Sequence, residues 1–217
     1  MLKIIILLFC TCGVFGYFTL PGKCPENVPV LEDFHLAEFH GKWYQAYYYA
    51  SDGQRKNNCS TLEMKLKHNR DNYPGLFFNQ SRIDLGLFHR YSIANVPPPK
   101  HGSTSASFQL VFTYENAPRR LKTRKYQFHI LATNYNYYAT AYTCQYSPLI
   151  DKHFIYVWIL SRHPTLNEVS KELALRPLQH IGLEPAKLVQ DDQSKCNPKY
   201  FEDVPVEPTT FKYPVPI

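Results

Sequence analysis

The sequence predicts an all-β protein: one antiparallel barrel of eight up-and-down strands, followed by a single α-helix. Strand-like runs recur between turn signals such as the prolines at 97–99 and Asn-Ala-Pro at 116–118, which favours a barrel over alternating βα units. Three short signals, Gly41-Lys42-Trp43-Tyr44, Thr133-Asn134-Tyr135 and Arg162, meet at one end of such a barrel because the chain reverses at every hairpin. There the Arg162 guanidinium can stack on the Trp43 indole and close the barrel floor.

The N-terminus predicts a secretory signal peptide at residues 1–16. A lysine precedes an apolar run at 4–9, and Val14 and Gly16 suit the −3 and −1 positions of a cleavage site. An uncleaved membrane anchor is the alternative, but the run is short and Pro21 follows closely. We therefore expect a soluble, secreted, extracellular protein.

One domain at 17–196 follows, beginning with an N-terminal arm at 17–39. Alternation and turn signals predict eight strands, at 42–49, 60–67, 75–83, 88–96, 105–114, 122–133, 137–146 and 154–161. The proline-rich residues 197–217 cannot form strand ladders, and we expect a disordered C-terminal tail.

One helix is predicted after the last strand. Thr165-Leu166-Asn167-Glu168 is a capping-box pattern, and Leu166, Val169 and Leu173 follow at helical spacing. Pro177 is expected to end or bend the helix because proline cannot continue it regularly.

Four cysteines remain after the signal peptide: Cys24, Cys59, Cys144 and Cys196. An even count in a secreted chain predicts two disulfides, and three connectivities are open. These cysteines lie far apart in sequence, and the nine histidines show no metal-site spacing, so we predict no metal site.

The order and spacing of the three floor signals, with the cysteine pattern, resemble the lipocalin family. Asn134 stands where the family usually has Asp, which keeps the hydrogen-bonding shape and loses the charge. The stretches 156–162 and 21–25 are most similar to the apolipoprotein D and insect bilin-binding branch. The resemblance implies an eight-stranded up-and-down antiparallel lipocalin barrel with the C-terminal α-helix packed outside. It also implies the disulfides Cys24–Cys144 and Cys59–Cys196.

Strand alternation predicts which side chains face the barrel lumen, although a slip of one residue would turn each of them outward. An apolar, aromatic lumen suits a flat, mostly hydrophobic molecule with one or two polar ends. The alternative is that the aromatic residues only fill a small core. The predicted ligand contacts are Gln45, Tyr47, Phe108, Leu110, Phe112, Phe128, Ile130, Tyr156, Trp158 and Leu160.

We therefore predict a carrier that binds and transports a small hydrophobic ligand: a lipid, sterol, retinoid or bilin pigment. No cofactor is required, and a bilin would be bound non-covalently. The alternative is an extracellular interaction protein that acts through its loops and tail and has a filled lumen. An enzyme is disfavoured because every cysteine of the mature chain is expected to pair, which leaves no thiolate nucleophile.

A basic cluster and two sequons complete the predicted sites. The cluster, in the hairpin between the fifth and sixth strands, predicts contact with anionic ligands, a cell-surface receptor or an anionic membrane; a solvated loop is the alternative. No recognition motif accompanies this charge, so we predict no nucleic-acid binding. Asn79 and Asn58 begin glycosylation sequons, although Cys59 in the second is expected in a disulfide. The cluster consists of Arg119, Arg120, Lys122, Arg124 and Lys125.

Overall fold

The computed structural model describes residues 20–51, 53, 57–68, 74–84, 88–97, 104–113 and 122–197. The predicted signal peptide at 1–16 and residues 198–217 of the predicted tail lie outside these residues, as do Arg119 and Arg120.

In the described residues, ten strands form one antiparallel sheet, of which eight close into a barrel. The strands are β1 (Leu20–Pro21), β2 (Gly41–Ala50), β3 (Asn57–His68), β4 (Pro74–Asp84), β5 (Phe88–Val96), β6 (Ser107–Thr113), β7 (Thr123–Thr133), β8 (Tyr138–Ser147), β9 (Lys152–Ser161) and β10 (Val189–Gln190). From β2 to β9 each strand pairs with the next, and β2 also pairs with β9, which closes the barrel. The predicted eight-stranded up-and-down barrel is confirmed. The two-residue strand β1 pairs with β9 beyond the residues that β2 pairs with, and β10 pairs with β2 beyond the residues that β3 pairs with.

Apolar side chains from alternate positions of the strands fill the barrel interior, as the two-residue period of a strand requires. A short helix, α1 (Leu36–Phe39), lies at the end of the barrel that holds Trp43, which we call the lower end, and adds Phe39 to this core. The arm before it runs beneath the barrel: the Leu31 N–H donates to the Ile130 carbonyl at 2.9 Å, and the Ala106 N–H donates to the Leu31 carbonyl at 2.8 Å. Residues of the N-terminal arm, for which the sequence predicted no role in the barrel, therefore close its lower end.

Helix α2 (Glu168–Leu175) packs on the outer wall of the barrel, as the resemblance implied. The expected start at Thr165 is wrong: Asn167 is the N-cap, and its Oδ1 accepts from the Ser170 N–H at 2.8 Å. Val169 is 71% exposed, so it does not lie on the buried face. The helix changes at Arg176 to a 3₁₀-helix (Arg176–Ile181) with Pro177 in its first turn, in keeping with the predicted end or bend.

Two disulfides hold the ends of the described chain to the barrel. Cys24 is bonded to Cys144 on β8, and Cys59 on β3 is bonded to Cys196. They span 120 and 137 residues, and cross-links over such distances stabilise by about 2–4 kcal/mol each. Within the described ranges, no helix has both the length and the apolar character needed to span a bilayer.

Candidate functional site

The floor of the barrel is built around the Arg162 side chain, which follows β9. Its guanidinium carbon lies 3.8 Å from the centroid of the Trp43 ring, and Trp43 is 0% exposed. Burial lowers the pKa of Arg162 from its ordinary value. The sequence-predicted contact between indole and guanidinium is present and covers the lower end of the interior.

Arg162 donates hydrogen bonds to four backbone carbonyls. Nε reaches the Tyr135 carbonyl at 2.9 Å and Nη1 the Lys42 carbonyl at 2.9 Å. Nη2 reaches the carbonyls of Glu38 at 2.8 Å and Phe39 at 3.2 Å, which helix α1 leaves unpaired at its C-terminus. The planar guanidinium therefore ties α1, β2 and the β7–β8 turn into one floor.

The turn between β7 and β8 explains why Asn134 is tolerated in place of Asp. Asn134 Oδ1 accepts from the N–H groups of Tyr137 at 2.9 Å and Tyr138 at 3.1 Å. Thr133 Oγ1 accepts from the Tyr135 N–H at 2.9 Å and donates to the Tyr138 carbonyl at 2.8 Å. Both side chains act through oxygen atoms that do not need a charge.

Gly41 opens β2 beneath Arg162 with a φ of +93°, a conformation that favours glycine. A Cβ at this position would lie 3.6 Å from Arg162 Nη1, so the backbone conformation, rather than space, explains the glycine.

Nine of the ten predicted ligand contacts lie on the inner face. Cross-strand partners share a face, and eight of these residues pair with one another, belong to the interior cluster or pack against it. The ninth, Tyr156, is opposite Thr143, which is itself opposite Phe128. Gln45, for example, is opposite Leu160, and Phe108 is opposite Phe128. The nine are Gln45, Phe108, Leu110, Phe112, Phe128, Ile130, Tyr156, Trp158 and Leu160.

Tyr47 is the exception and corrects the prediction. The pairing of β2 with β9 shifts by one residue between Gln45 and Tyr47, as at a β-bulge. Tyr47 is therefore opposite Ile159 and packs outside the barrel, where its ring lies 5.5 Å from Lys171 Nζ on α2. Tyr48 takes the inward position, opposite Trp158.

The solvent exposure of the inner-face side chains increases from the floor towards the opposite end of the barrel, the upper end. On β7, Ile130 and Phe128 are 0% exposed, whereas Tyr126 above them is half-buried. On β9, Leu160 is 0% exposed and Trp158 is half-buried. The inner-face side chains near the floor are therefore fully buried, whereas those near the upper end keep some exposure to solvent. Ile130, Phe128 and Leu160 lie at the base of the inner face, and their role as ligand contacts stays a prediction.

Four further inner-face residues in the upper half were not predicted as contacts. Gln80 is opposite Leu62, and Arg82 follows it on the same face of β4. On β7, Tyr126 and Arg124 are opposite Leu110 and Phe112. The alternation of side chains along each strand could have predicted these four residues. Gln80 and Arg82 lie two and four residues from Phe78, and Tyr126 and Arg124 lie two and four residues from Phe128, so each shares the face of that phenylalanine.

A buried carboxyl lies where β2 and β3 separate. Asp191 is 3% exposed; its Oδ1 accepts from the Ser60 N–H at 3.2 Å and from Gln193 Nε2 at 3.0 Å. Its Oδ2 accepts from Gln45 Nε2 at 2.9 Å and from the Ser60 hydroxyl. Burial raises the pKa of Asp191 to about 6, despite the hydrogen bonds from Ser60 and Gln45 that favour the charged form. Sequence reasoning missed this cluster because its members are distant along the chain.

The surface predictions have separate outcomes. Lys122 and Lys125 are exposed, and their contact with a receptor or membrane stays a prediction. Asn79 is only 9% exposed on β4, and an attached glycan needs an exposed side chain, so the structure argues against glycosylation there. Asn58 is half-buried beside the disulfide-bonded Cys59, and its glycosylation stays a prediction.

Among the residues that the structure describes, no group of His, Cys, Asp and Glu side chains is arranged to hold a metal ion.

Comparisons with known proteins agree with this architecture. Residues 101–195 match the model of the lipocalin / cytosolic fatty-acid binding protein family. The chain is 28% identical to apolipoprotein D of Bos taurus over 90% of this chain and 98% of that one. It is 26% identical to the bilin-binding protein of Pieris brassicae over 81% and 86% of the two chains. The solved structure of insecticyanin from Manduca sexta superposes with a TM-score of 0.66, at 23% identity, over 82% of this chain and 89% of that one.

Proposed function

We propose that the chain is an extracellular carrier of the lipocalin family, in the branch of apolipoprotein D and insect bilin-binding protein. It binds one small, mostly hydrophobic molecule in the upper half of its barrel. The buried base at Phe128 and Leu160 limits how deep the ligand sits, and the floor at Arg162 leaves the upper end as the entrance.

The observation that carries this proposal is the half-buried aromatic wall above a fully buried base. Trp158 lies between the Phe128 ring, at 5.7 Å between centroids, and the Tyr156 ring, at 6.3 Å. Tyr126 contacts the Phe112 ring edge-on at 5.6 Å. Flat rings in fixed positions suit a flat apolar ligand.

The expected affinity follows from the apolar area that such a wall covers. Burying about 300 Å² of ligand at ~25 cal/mol per Å² gives a gross gain of about 7–8 kcal/mol. Ordering of ligand and side chains reduces this gain, while ring contacts and hydrogen bonds to groups such as Gln80 add to it. A dissociation constant near micromolar is therefore reasonable, since 1 μM corresponds to about 8 kcal/mol.

The ligand class and the location have separate support. The names of the two relatives refer to a bilin and to a lipoprotein, which favours a pigment or a lipid as ligand. The two disulfides favour an oxidising, extracellular environment. All four cysteines of the described residues are in those disulfides, so these residues offer no thiolate, and we assign binding rather than catalysis.

Native mass spectrometry with an absorption spectrum, on protein purified from its natural source, tests the proposal. A bound species that absorbs visible light identifies a pigment, and a colourless adduct of lipid mass identifies a lipid. A bare protein that also fails to take up biliverdin, retinoids or fatty acids would contradict the carrier function and favour an interaction protein.

Two aromatic substitutions localise the site. Trp158→Ala removes an inner-face ring of the upper wall. It should weaken binding of the ligand identified by mass spectrometry by about tenfold or more, equivalent to about 1.4 kcal/mol. Tyr47→Ala, the matched control, removes a ring on the outer wall under α2 and should leave the affinity unchanged. Equal weakening by both variants would contradict the assigned site.

A further inference from the structure

Residues 189–193, which we call the gate segment, form part of the barrel wall. The described pairing of β2 with β3 runs from Gly41 to Tyr44, and above it the gate segment lies between the two strands. We propose that this segment is a gate for the ligand: its local release opens a slot between β2 and β3 that extends the upper entrance down to Gln45. The inference rests on the proposed carrier function and adds the route by which the ligand enters and leaves.

The backbone of the gate segment is hydrogen-bonded to both strands. Its first two residues form β10, which pairs antiparallel with the upper part of β2. The Asp191 N–H then donates to the Ala46 carbonyl of β2 at 3.0 Å. On the other side, the Asp192 carbonyl accepts from the Cys59 N–H of β3 at 3.0 Å. Release of the segment therefore breaks the wall at this place and leaves a gap between two strands that it had joined.

Two side chains of the gate segment bridge the strands where they separate. Gln193 Nε2 donates to the Gln45 carbonyl of β2 at 3.1 Å and to the Ser60 carbonyl of β3 at 2.9 Å. The Asp191 carboxyl group accepts from the Gln45 side chain and from both the N–H and the hydroxyl of Ser60. Because Gln45 lies on the inner face, these bonds connect the segment to the lumen.

The ends of the gate segment are anchored, so that it can open locally and return. Leu188, just before it, packs against the clusters on the outer wall, and Cys196, just after it, is bonded to Cys59. Between these anchors the sequence Val-Gln-Asp-Asp-Gln has a single apolar residue, Val189. Segments with little apolar packing open at a lower free energy than the core of a protein. Opening of this segment therefore needs no unfolding of the barrel.

Asp191 makes release of the gate segment depend on pH. Burial raises the pKa of Asp191 to about 6; the facing groups on β2 and β3, Gln45 and Ser60, are neutral and lower it in part, and the neighbouring Asp192 carboxylate raises it. Gln193, which also donates to it, is neutral. Release exposes the carboxyl to water and returns its pKa to the ordinary 3.8, so ionisation favours the released state. The released population should therefore rise about tenfold from pH 5 to pH 7.

Stopped-flow measurement of ligand exchange in the wild type and in Gln193→Ala tests the gate. The probes are retinol and biliverdin, followed by quenching of tryptophan emission. A gate changes the rates of entry and exit by the same factor, so it leaves the dissociation constant unchanged. Gln193→Ala removes the amide that bridges β2 and β3, and both rate constants should rise about fivefold or more at an unchanged dissociation constant. The unchanged constant also shows that the variant is folded.

Gln190→Ala is the matched control, because Gln190 belongs to the same segment and its side chain is exposed. It should leave both rate constants as they are in the wild type. Retinol, which has no titratable group in this range, should exchange about tenfold faster at pH 7 than at pH 5 in the wild type. In Asp191→Asn its exchange should be slow and equal at the two pH values.

Amide hydrogen exchange measures the opening itself. After correction for the intrinsic effect of pH, the Cys59 and Ser60 N–H groups should be less protected than the β8–β9 ladder, and Gln193→Ala should lower their protection further. Wild-type exchange rates of the probes in Gln193→Ala, or equal rates of retinol exchange at both pH values in the wild type, would overturn the gate and leave the carrier function intact. If native mass spectrometry identifies another ligand, that compound is the probe. Failure of both probes to bind, with a bare protein in native mass spectrometry, would overturn both.

Discussion

Asp191→Asn is expected to stabilise the protein at neutral pH, although the change removes a buried, fully hydrogen-bonded carboxylate. The four groups that donate to Asp191 belong to Gln45, Ser60 and Gln193, and all are neutral. An asparagine keeps Oδ1 for the Ser60 N–H and Gln193. Its new NH₂ group can donate to the Ser60 hydroxyl and, after rotation of the Gln45 amide, to Gln45.

The size of the effect follows from the pKa of Asp191, which burial raises from 3.8 to about 6. This difference of about 2 pH units, at about 1.36 kcal/mol each, corresponds to about 3 kcal/mol. Because the pKa is higher in the folded state, folding favours the neutral acid. The stabilisation from this group is complete below about pH 4 and is lost as the pH rises through about 6.

Urea denaturation of the wild type and of Asp191→Asn between pH 4 and pH 7 measures the pH dependence of the unfolding free energy that is due to Asp191. Relative to Asp191→Asn, the wild type should lose about 3 kcal/mol of unfolding free energy as the pH rises across this range. Glu172→Gln is the control, because the Glu172 side chain is 74% exposed on the outer surface and its replacement should leave the pH dependence unchanged. If Asp191→Asn is less stable than the wild type at pH 7, the hydrogen bonds outweigh the burial of the charge and the reasoning is refuted.

Substitutions at three further positions test the floor and the helix. Arg162→Ala should lower the unfolding free energy by about 3 kcal/mol or more, because four hydrogen bonds to backbone carbonyls are lost and only the Phe39 carbonyl keeps a second side-chain donor, Trp43 Nε1. Arg162→Lys should restore only part of this free energy in urea titrations, and full recovery by Lys would contradict a role for the planar guanidinium. Asn134→Ala should lower the stability measured in thermal melts by about 1–2 kcal/mol, because the N–H groups of Tyr137 and Tyr138 lose their acceptor. Asn134→Asp keeps an oxygen acceptor and should lower the stability much less. Equal losses of stability in the two variants would refute this role. Thr140→Val should lower the unfolding free energy by about 1 kcal/mol, because the Ala174 carbonyl loses its hydroxyl donor. Thr140→Ser should retain this hydrogen bond and the stability. Chemical denaturation measures both variants, and equal stability of the two would show that the bond does not contribute.

Local patterns in the sequence sufficed for the strands and for the floor. Alternation predicts the fourth barrel strand at 88–96, where the structure has it, and predicts the other seven with differences only at their ends. The floor was predictable because Trp43, the turn at 133–135 and Arg162 lie at fixed positions relative to strand ends.

The remaining features depend on contacts between distant segments. The bulge after Gln45 reverses Tyr47 and Tyr48, and nothing in the alternation of β2 itself marks the extra residue. Thr165 and Asn167 are both good N-cap residues, and packing of α2 on the wall selects the second. The Asp191 cluster joins segments more than 130 residues apart, which no local motif reveals.

The positions of the tryptophans give the protein two built-in optical probes. The sequence has two tryptophans, Trp43 under Arg162 at the floor and Trp158 in the upper wall. Emission from Trp43 should report melting of the closed end, while quenching of Trp158 should follow a molecule that enters beside it. In a Trp158→Phe protein the emission should therefore respond to denaturant and no longer to ligand, which allows stability and occupancy to be read separately in one cuvette.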